Sequence, residues 1–162
     1  MARVYLSLGS NLEPQRYLPA AIAALRERFG EIRVSPAYRS KAVGFDGADF
    51  INLAVGLDTE LSPGELNDWL HALEDRHGRR RDVPRYSSRT LDIDIVFYDD
   101  LVLDGPGHLQ IPREELRHAF VLRPIADIAP DFRHPVSGTS MAALWKAFPT
   151  DDEPLQIESL PA

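Results

Sequence analysis

The chain has 162 residues, 44% hydrophobic and 27% charged, with a net charge of −7 and no cysteine. That length suits one domain with a sizeable core, and the composition excludes disordered and fibrous classes; without cysteine there is neither a disulfide framework nor a thiolate metal site. The acidic balance argues against broad nucleic-acid or anionic-membrane binding, and no apolar run has the length of a signal peptide or a membrane span, so the expected location is the cytoplasm.

In chain order, Val4 to Leu8 predicts a first strand ending in the turn Gly9-Ser10-Asn11. Leu18, Ile22, Leu25 and Phe29 share one stripe of a helix from about Gln15, stopped by Gly30. Ile32 to Tyr38 predicts a second strand, with an edge or bulge at Ser35-Pro36. A loop, Ser40 to Asp49, leads to a third strand, Phe50 to Leu57. Ser62-Pro63-Gly64-Glu65 opens a helix through a capping box, with Leu66, Trp69, Leu70 and Leu73 on its apolar face and Gly78 as its stop.

An arginine-rich loop follows, and then the strand Arg89 to Tyr98. Alternation puts Leu91, Ile93, Ile95 and Phe97 on one face of that strand and Thr90, Asp92 and Asp94 on the other. Beyond a short Leu101-Val102-Leu103 segment and a turn at Gly105-Pro106-Gly107, Glu114 to Ile128 predicts a helix interrupted at Pro124. Ser140 to Phe148 predicts a last helix capped by Thr139. From Thr150 on there are four acids, no bases and two prolines, which predicts a disordered acidic tail, 150–162, after a single domain, 1–149. Irregularly interleaved strands and helices with short links favour an α+β domain with a mostly antiparallel sheet.

The chemistry concentrates in one region. Between Arg76 and Arg89 stand six arginines and one acid, a local balance of +5 that leaves −12 for the rest of the chain. Arginine suits bidentate recognition of phosphate oxygens. This cationic run enters a strand on which Asp92 and Asp94 lie about 6.6 Å apart along one face, close enough to converge on a divalent cation such as Mg²⁺, which typically takes one or two carboxylates plus waters and substrate phosphates. Taken singly, the two carboxylates read more readily as a hydrated strand face and the arginines as a solvated charge run. Together they describe a polyphosphate site.

Asn52 beside Phe50 is either a strand-end polar group or an amide reading the edge of a flat heterocycle, with a ring stacked alongside. The five histidines lack zinc spacing, and there is no P-loop or dinucleotide-binding glycine run. On the residues alone, a nucleotidyltransferase and an RNA-binding module using the arginine loop stay open beside a phosphotransferase.

Leu8-Gly9-Ser10-Asn11-Leu12, Tyr38-Arg39-Ser40, Phe50-Ile51-Asn52, Gly78-Arg79-Arg80-Arg81 and Ser88-Arg89-Thr90-Leu91-Asp92-Ile93-Asp94-Ile95 together resemble the 6-hydroxymethyl-7,8-dihydropterin pyrophosphokinases of folate biosynthesis, in order and spacing over roughly residues 3 to 148. The resemblance implies a ferredoxin-like, three-layer α/β/α arrangement and transfer of diphosphate from ATP to the pterin hydroxymethyl group, giving AMP. It implies two magnesium ions on Asp92 and Asp94, and phosphate binding by Arg79, Arg81 and Arg89, which count with the two aspartates as catalytic. The pterin would lie between Phe50 and Phe120, read by Asn52 and enclosed by the backbone of Lys41, Ala42 and Val43.

Glu74, Ile95, His108, Gln110 and Arg113 would stand on the ATP side. The loops Ser40 to Asp49 and Gly78 to Ser88 would be mobile lids. The implied partners are small molecules, with no nucleic acid and no membrane, acting on a monomer. Several positions depart from the family pattern: His108 and Gln110 replace a usual Arg and Thr, Arg113 a usual His, His118 a usual Arg and Tyr86 a frequent Trp, and the Pro112-to-Phe120 interval is one residue short.

Overall fold

The computed structural model describes residues 1–78, 88–105 and 109–160. β1 (Ala2–Ser10) is its central strand, buried along nearly its whole length. β1 pairs antiparallel with β4 (Phe50–Thr59) on one side and with β5 (Asp92–Tyr98) on the other. β2 (Arg33–Val34) and β3 (Ala37–Ser40) both pair with the far side of β4. The strand predicted over Ile32 to Tyr38 is therefore two strands. Pro36 has no N–H to continue the ladder, and Ser35 stitches the gap, its N–H donating to the Ala54 carbonyl at 2.9 Å and its Oγ accepting from the Ala54 N–H at 2.8 Å.

α1 (Pro14–Phe29) crosses from β1 to β2, with β4 lying between them, and α2 (Pro63–Arg76) crosses from β4 to β5, with β1 between them. Two such split crossovers make the antiparallel ferredoxin-like sheet that the resemblance implies. Each helix lays an apolar stripe on the same sheet face. Leu18 and Leu25 of α1 and Leu66, Leu70 and Leu73 of α2 pack on Leu6, Leu8, Leu53, Val55, Ile93 and Ile95. The predicted capping box is present at α2: Ser62 Oγ accepts from the Glu65 N–H at 3.2 Å and Glu65 Oε1 accepts from the Ser62 N–H at 3.0 Å. Ser62→Ala should lower stability by about 1 kcal/mol, read as a drop of about 2–4 °C in Tm; an unchanged midpoint would show that the box contributes nothing.

The opposite sheet face carries α3 (Ala119–Ile128) and α4 (Met141–Lys146). Here Tyr5, Ala54 and Phe97 meet Val121, Leu122, Ile125 and Met141, which completes three layers. Phe97 corrects the predicted alternation. The register on β1 jumps from Leu6 opposite Ile95 to Tyr5 opposite Phe97. Val96 is the extra residue of a bulge, and Phe97 turns to the α3 side.

Two further expectations change. The break in the predicted Glu114–Ile128 helix comes at His118, in extended conformation between a 3-10 turn, Glu114–Arg117, and α3, while Pro124 sits inside α3 without ending it. α4 is capped by Ser140 rather than Thr139, Ser140 Oγ accepting from the Ala143 N–H at 3.2 Å.

A short hairpin, β6 (Leu103–Asp104) with β7 (Gln110–Ile111), leads from β5 to the 3-10 turn. The tail also departs from expectation. β8 (Gln156–Glu158) pairs antiparallel with β3 at the sheet edge, and Arg39 holds Glu158 through two hydrogen bonds of 3.1 and 2.8 Å. Four acids without a base suggested a solvated tail, but an exposed strand edge offers backbone partners that composition does not register. Among the described residues no helix is long and apolar enough to cross a membrane.

Candidate active site

Strand register assembles the site on the α3 side of the sheet. Asp92, Gly9, Asn52 and Tyr38 stand opposite one another on four neighbouring strands, and Asp94, Ser7 and Ala54 form the next row. Residues in register share a face, so the acidic pair and the Asn52 amide project to the same side, with Gly9 between them. Gly9 is where the sheet needs a missing side chain: a Cβ there would lie 2.5 Å from Asn52 Nδ2 and 3.7 Å from the Phe50 ring.

Asn52 is 6% exposed, and its Oδ1 has no partner among the described residues. Ser40 Oγ and Thr90 Oγ1 are buried in the same condition. Buried polar atoms are normally paired, and all three belong to positions flanking the acidic face. An amide with an unmet acceptor is poised for a donor brought by a ligand.

Asp94 keeps 31% of its side-chain surface. Burial, first, and the neighbouring Asp92 carboxylate push its carboxyl well above the usual range, Glu74 and Glu115 adding to the effect and Arg113 opposing it. Arg113 Nη1 is 3.7 Å from Asp94 Oδ1, and Arg113 Nε donates to Glu115 at 3.2 Å. A carboxylate in this position calls for positive charge, and two carboxylates with room for water and ligand oxygens are a donor set that suits magnesium. Among the described residues no group of three or more His, Cys, Asp or Glu side chains converges to form a closed metal site.

Glu74, 2% exposed, accepts from the Ile93 N–H at 2.8 Å, so α2 seats the edge strand between the two aspartates. Ile95 is 2% exposed and packs in the core against α2; what it can offer a nucleotide is main chain. Arg89 is 7% exposed. Gln110 is exposed on β7, as are Lys41 and Val43 on their loop, with Ala42 half-buried between them. Arg79, Arg81 and His108 lie outside the described residues.

Phe50 and Phe120 are both half-buried. Phe45 meets Phe50 edge-on with centroids 6.2 Å apart, and His118 stacks on Phe120 at 5.1 Å and 13°.

Asn11 is the residue that sequence reasoning undervalued as part of a turn. Its Oδ1 accepts from the Arg89 N–H at 2.7 Å, its N–H donates to the Arg89 carbonyl at 3.0 Å, and its Nδ2 donates to the Ala48 carbonyl at 3.0 Å and Ser88 Oγ at 3.2 Å. One side chain thus ties the end of β1 to the Ser40–Asp49 loop and to the approach to β5.

An acidic strand face and a buried amide thus share one side of a ferredoxin-like α+β sheet. A profile of the 7,8-dihydro-6-hydroxymethylpterin-pyrophosphokinase (HPPK) family matches residues 5–130. The chain is 44% identical to a 2-amino-4-hydroxy-6-hydroxymethyldihydropteridine pyrophosphokinase of Pseudomonas aeruginosa, over 98% of this chain and 97% of that one. It is 41% identical to the Synechocystis protein of the same name, over 86% of this chain and 72% of the other. Among solved structures, Plasmodium falciparum HPPK-DHPS superposes with a TM-score of 0.68 at 16% identity, covering 90% of this chain. At that identity the likeness speaks for the fold alone, and this chain spans 43% of that longer protein. The chain belongs to the HPPK family and is a pyrophosphokinase, a diphosphotransferase of folate biosynthesis.

Proposed function

We propose that the chain moves the terminal diphosphate of ATP onto the hydroxymethyl oxygen of 6-hydroxymethyl-7,8-dihydropterin. The pterin oxygen bonds to the β-phosphorus, the bond from that phosphorus to the bridging oxygen of AMP breaks, and the hydroxyl proton is released. The observation that carries this reading is the row Asp92, Gly9, Asn52, which brings to the same side of the sheet an acidic pair and a buried amide whose Oδ1 has no partner among the described residues.

In this reading Asn52 reads the donor and acceptor edge of the pterin, whose rings lie between Phe50 and Phe120. Lys41, Ala42 and Val43 enclose its rim. Asp92 and Asp94 hold two magnesium ions, which when bound neutralise phosphate charge and make the hydroxyl more acidic. Arg113 stands 3.7 Å from Asp94 with Glu115 steadying it, where a cation meets ATP oxygens; Arg79, Arg81, Arg89, His108 and Gln110 also bind ATP. Such a transfer needs positioning and charge neutralisation more than a strong base. The chain acts as a cytoplasmic monomer on small molecules, without nucleic acid or membrane.

Purified protein given Mg-ATP and the dihydropterin alcohol should release AMP and the pterin diphosphate in equal amounts. No AMP above a protein-free blank would end the proposal, and inorganic pyrophosphate with a nucleotidylated product would replace it with nucleotidyl transfer.

A further inference from the structure

α3 begins without a local cap. His118, in the capping position, makes no side-chain hydrogen bond to the helix start, and the first turn holds no acid, although the first N–H groups of a helix need acceptors and favour negative charge. The acceptor comes from 34 residues downstream: Glu153 Oε1 accepts from the Ala119 N–H at 3.1 Å. The same oxygen lies 3.2 Å from His118 Nδ1. His118 in turn lies nearly parallel to the Phe120 ring, with centroids 5.1 Å apart. Glu153 therefore grips both the start of the helix that carries Phe120 and the ring stacked on it.

The segment that supplies Glu153 is itself anchored. Three residues beyond it, β8 pairs with β3, and Glu158 is held by Arg39. Arg39 and Ser40 end β3 opposite Ile51 and Phe50. One short acidic segment thus spans from the strand next to Phe50 to the helix start beside Phe120, the two rings assigned to the walls of the pterin slot.

We propose that Glu153 is a positioning residue for pterin binding: through His118 and the α3 N-terminus it sets the tilt of Phe120, His118 covering one face of that ring and leaving the other for the pterin. The inference rests on the reading of Phe120 as a pterin wall. It assigns to the acidic tail a part in substrate binding that neither its composition nor the family name indicates.

The test compares Glu153→Ala, Glu153→Gln and Phe120→Ala in the full chain, measuring KM for the dihydropterin alcohol and for ATP separately, with Tm alongside. Glu153→Ala should raise the pterin KM by about fivefold, the size of effect expected from losing one oriented aromatic contact, and leave the ATP KM within about twofold. Glu153→Gln keeps a carbonyl acceptor for the Ala119 N–H and a partner for Nδ1, and should restore the parental pterin KM. A merely structural role would lower Tm and move both KM values together, which overturns the proposal, as does a flat pterin KM in Glu153→Ala. A tighter pterin KM in that variant would instead make His118 a plug over the slot and overturns it equally. Phe120→Ala separates the two levels: if it weakens the pterin while Glu153→Ala does not, only the positioning role fails, and if Phe120→Ala is itself flat, the slot assignment fails and the inference with it.

Discussion

Asp94→Asn is expected to abolish turnover while leaving the protein folded. The substitution keeps the size of the side chain and removes one of two carboxylates on the acidic face of β5. Loss of a carboxylate proposed to hold magnesium should cost about 3 kcal/mol or more in the transition state, which is about a hundredfold or more in kcat.

The stability of the same variant gives a second, independent sign. Burial beside Asp92 raises the Asp94 pKa in the folded state above its ordinary 3.8. Between that value and the raised one, the folded chain holds a proton that the unfolded chain has released, so stability falls as pH rises through this window. Asn carries no such penalty. Without magnesium, Tm of Asp94→Asn should match or exceed that of the parent at neutral pH, and the gap should widen as pH rises from acid through the window. Magnesium should then raise Tm of the parent and leave the variant unmoved. A variant with near-parental rates in magnesium would sink the metal assignment, and a Tm gap that shrinks with rising pH would contradict the buried-carboxyl reading.

Gly9→Ala is the second large effect, and it works through shape rather than charge. Gly9 is paired with Asn52 on one side and Asp92 on the other, so its backbone cannot retreat from a methyl group 2.5 Å from Asn52 Nδ2. The amide must turn instead. Displacement of a positioning group by an ångström can cost about a hundredfold, and here the loss should fall on kcat/KM for the pterin, with the ATP KM little changed. The strained core should lose about 1–3 kcal/mol of stability. If kcat/KM for the pterin stays within about threefold of the parent, Asn52 is not the group that reads the substrate.

Much of this was legible because the signals are local. Ser62 and Glu65 announce a helix start within four residues, since a capping box is closed by neighbours in sequence. Asp92 and Asp94 declare a shared face by alternation alone, and the structure keeps that face. The same alternation failed two residues later, because a bulge at Val96 depends on how β5 meets β1, and Phe97 went to the other core. Pro124 predicted a broken helix from a local rule, yet α3 continues through it because Val121, Leu122, Ile125 and Ile128 bury their side chains against the sheet.

Asn11 and Glu153 were out of reach for a different reason. Asn11 acts on Ala48, Ser88 and Arg89, and Glu153 on His118 and Ala119. Nothing in the spacing along the chain relates these groups.

The sequence by itself determined the α+β class and, through its motifs, the family, because both rest on residue type and short-range period. The tertiary structure alone decided that a side chain at Gly9 would meet the Asn52 amide, that Asn11 ties the approaches to the site together and that the tail reaches back to the helix of Phe120. Those depend on which strands become neighbours and in what register, and register is a property of packing between segments far apart in the chain.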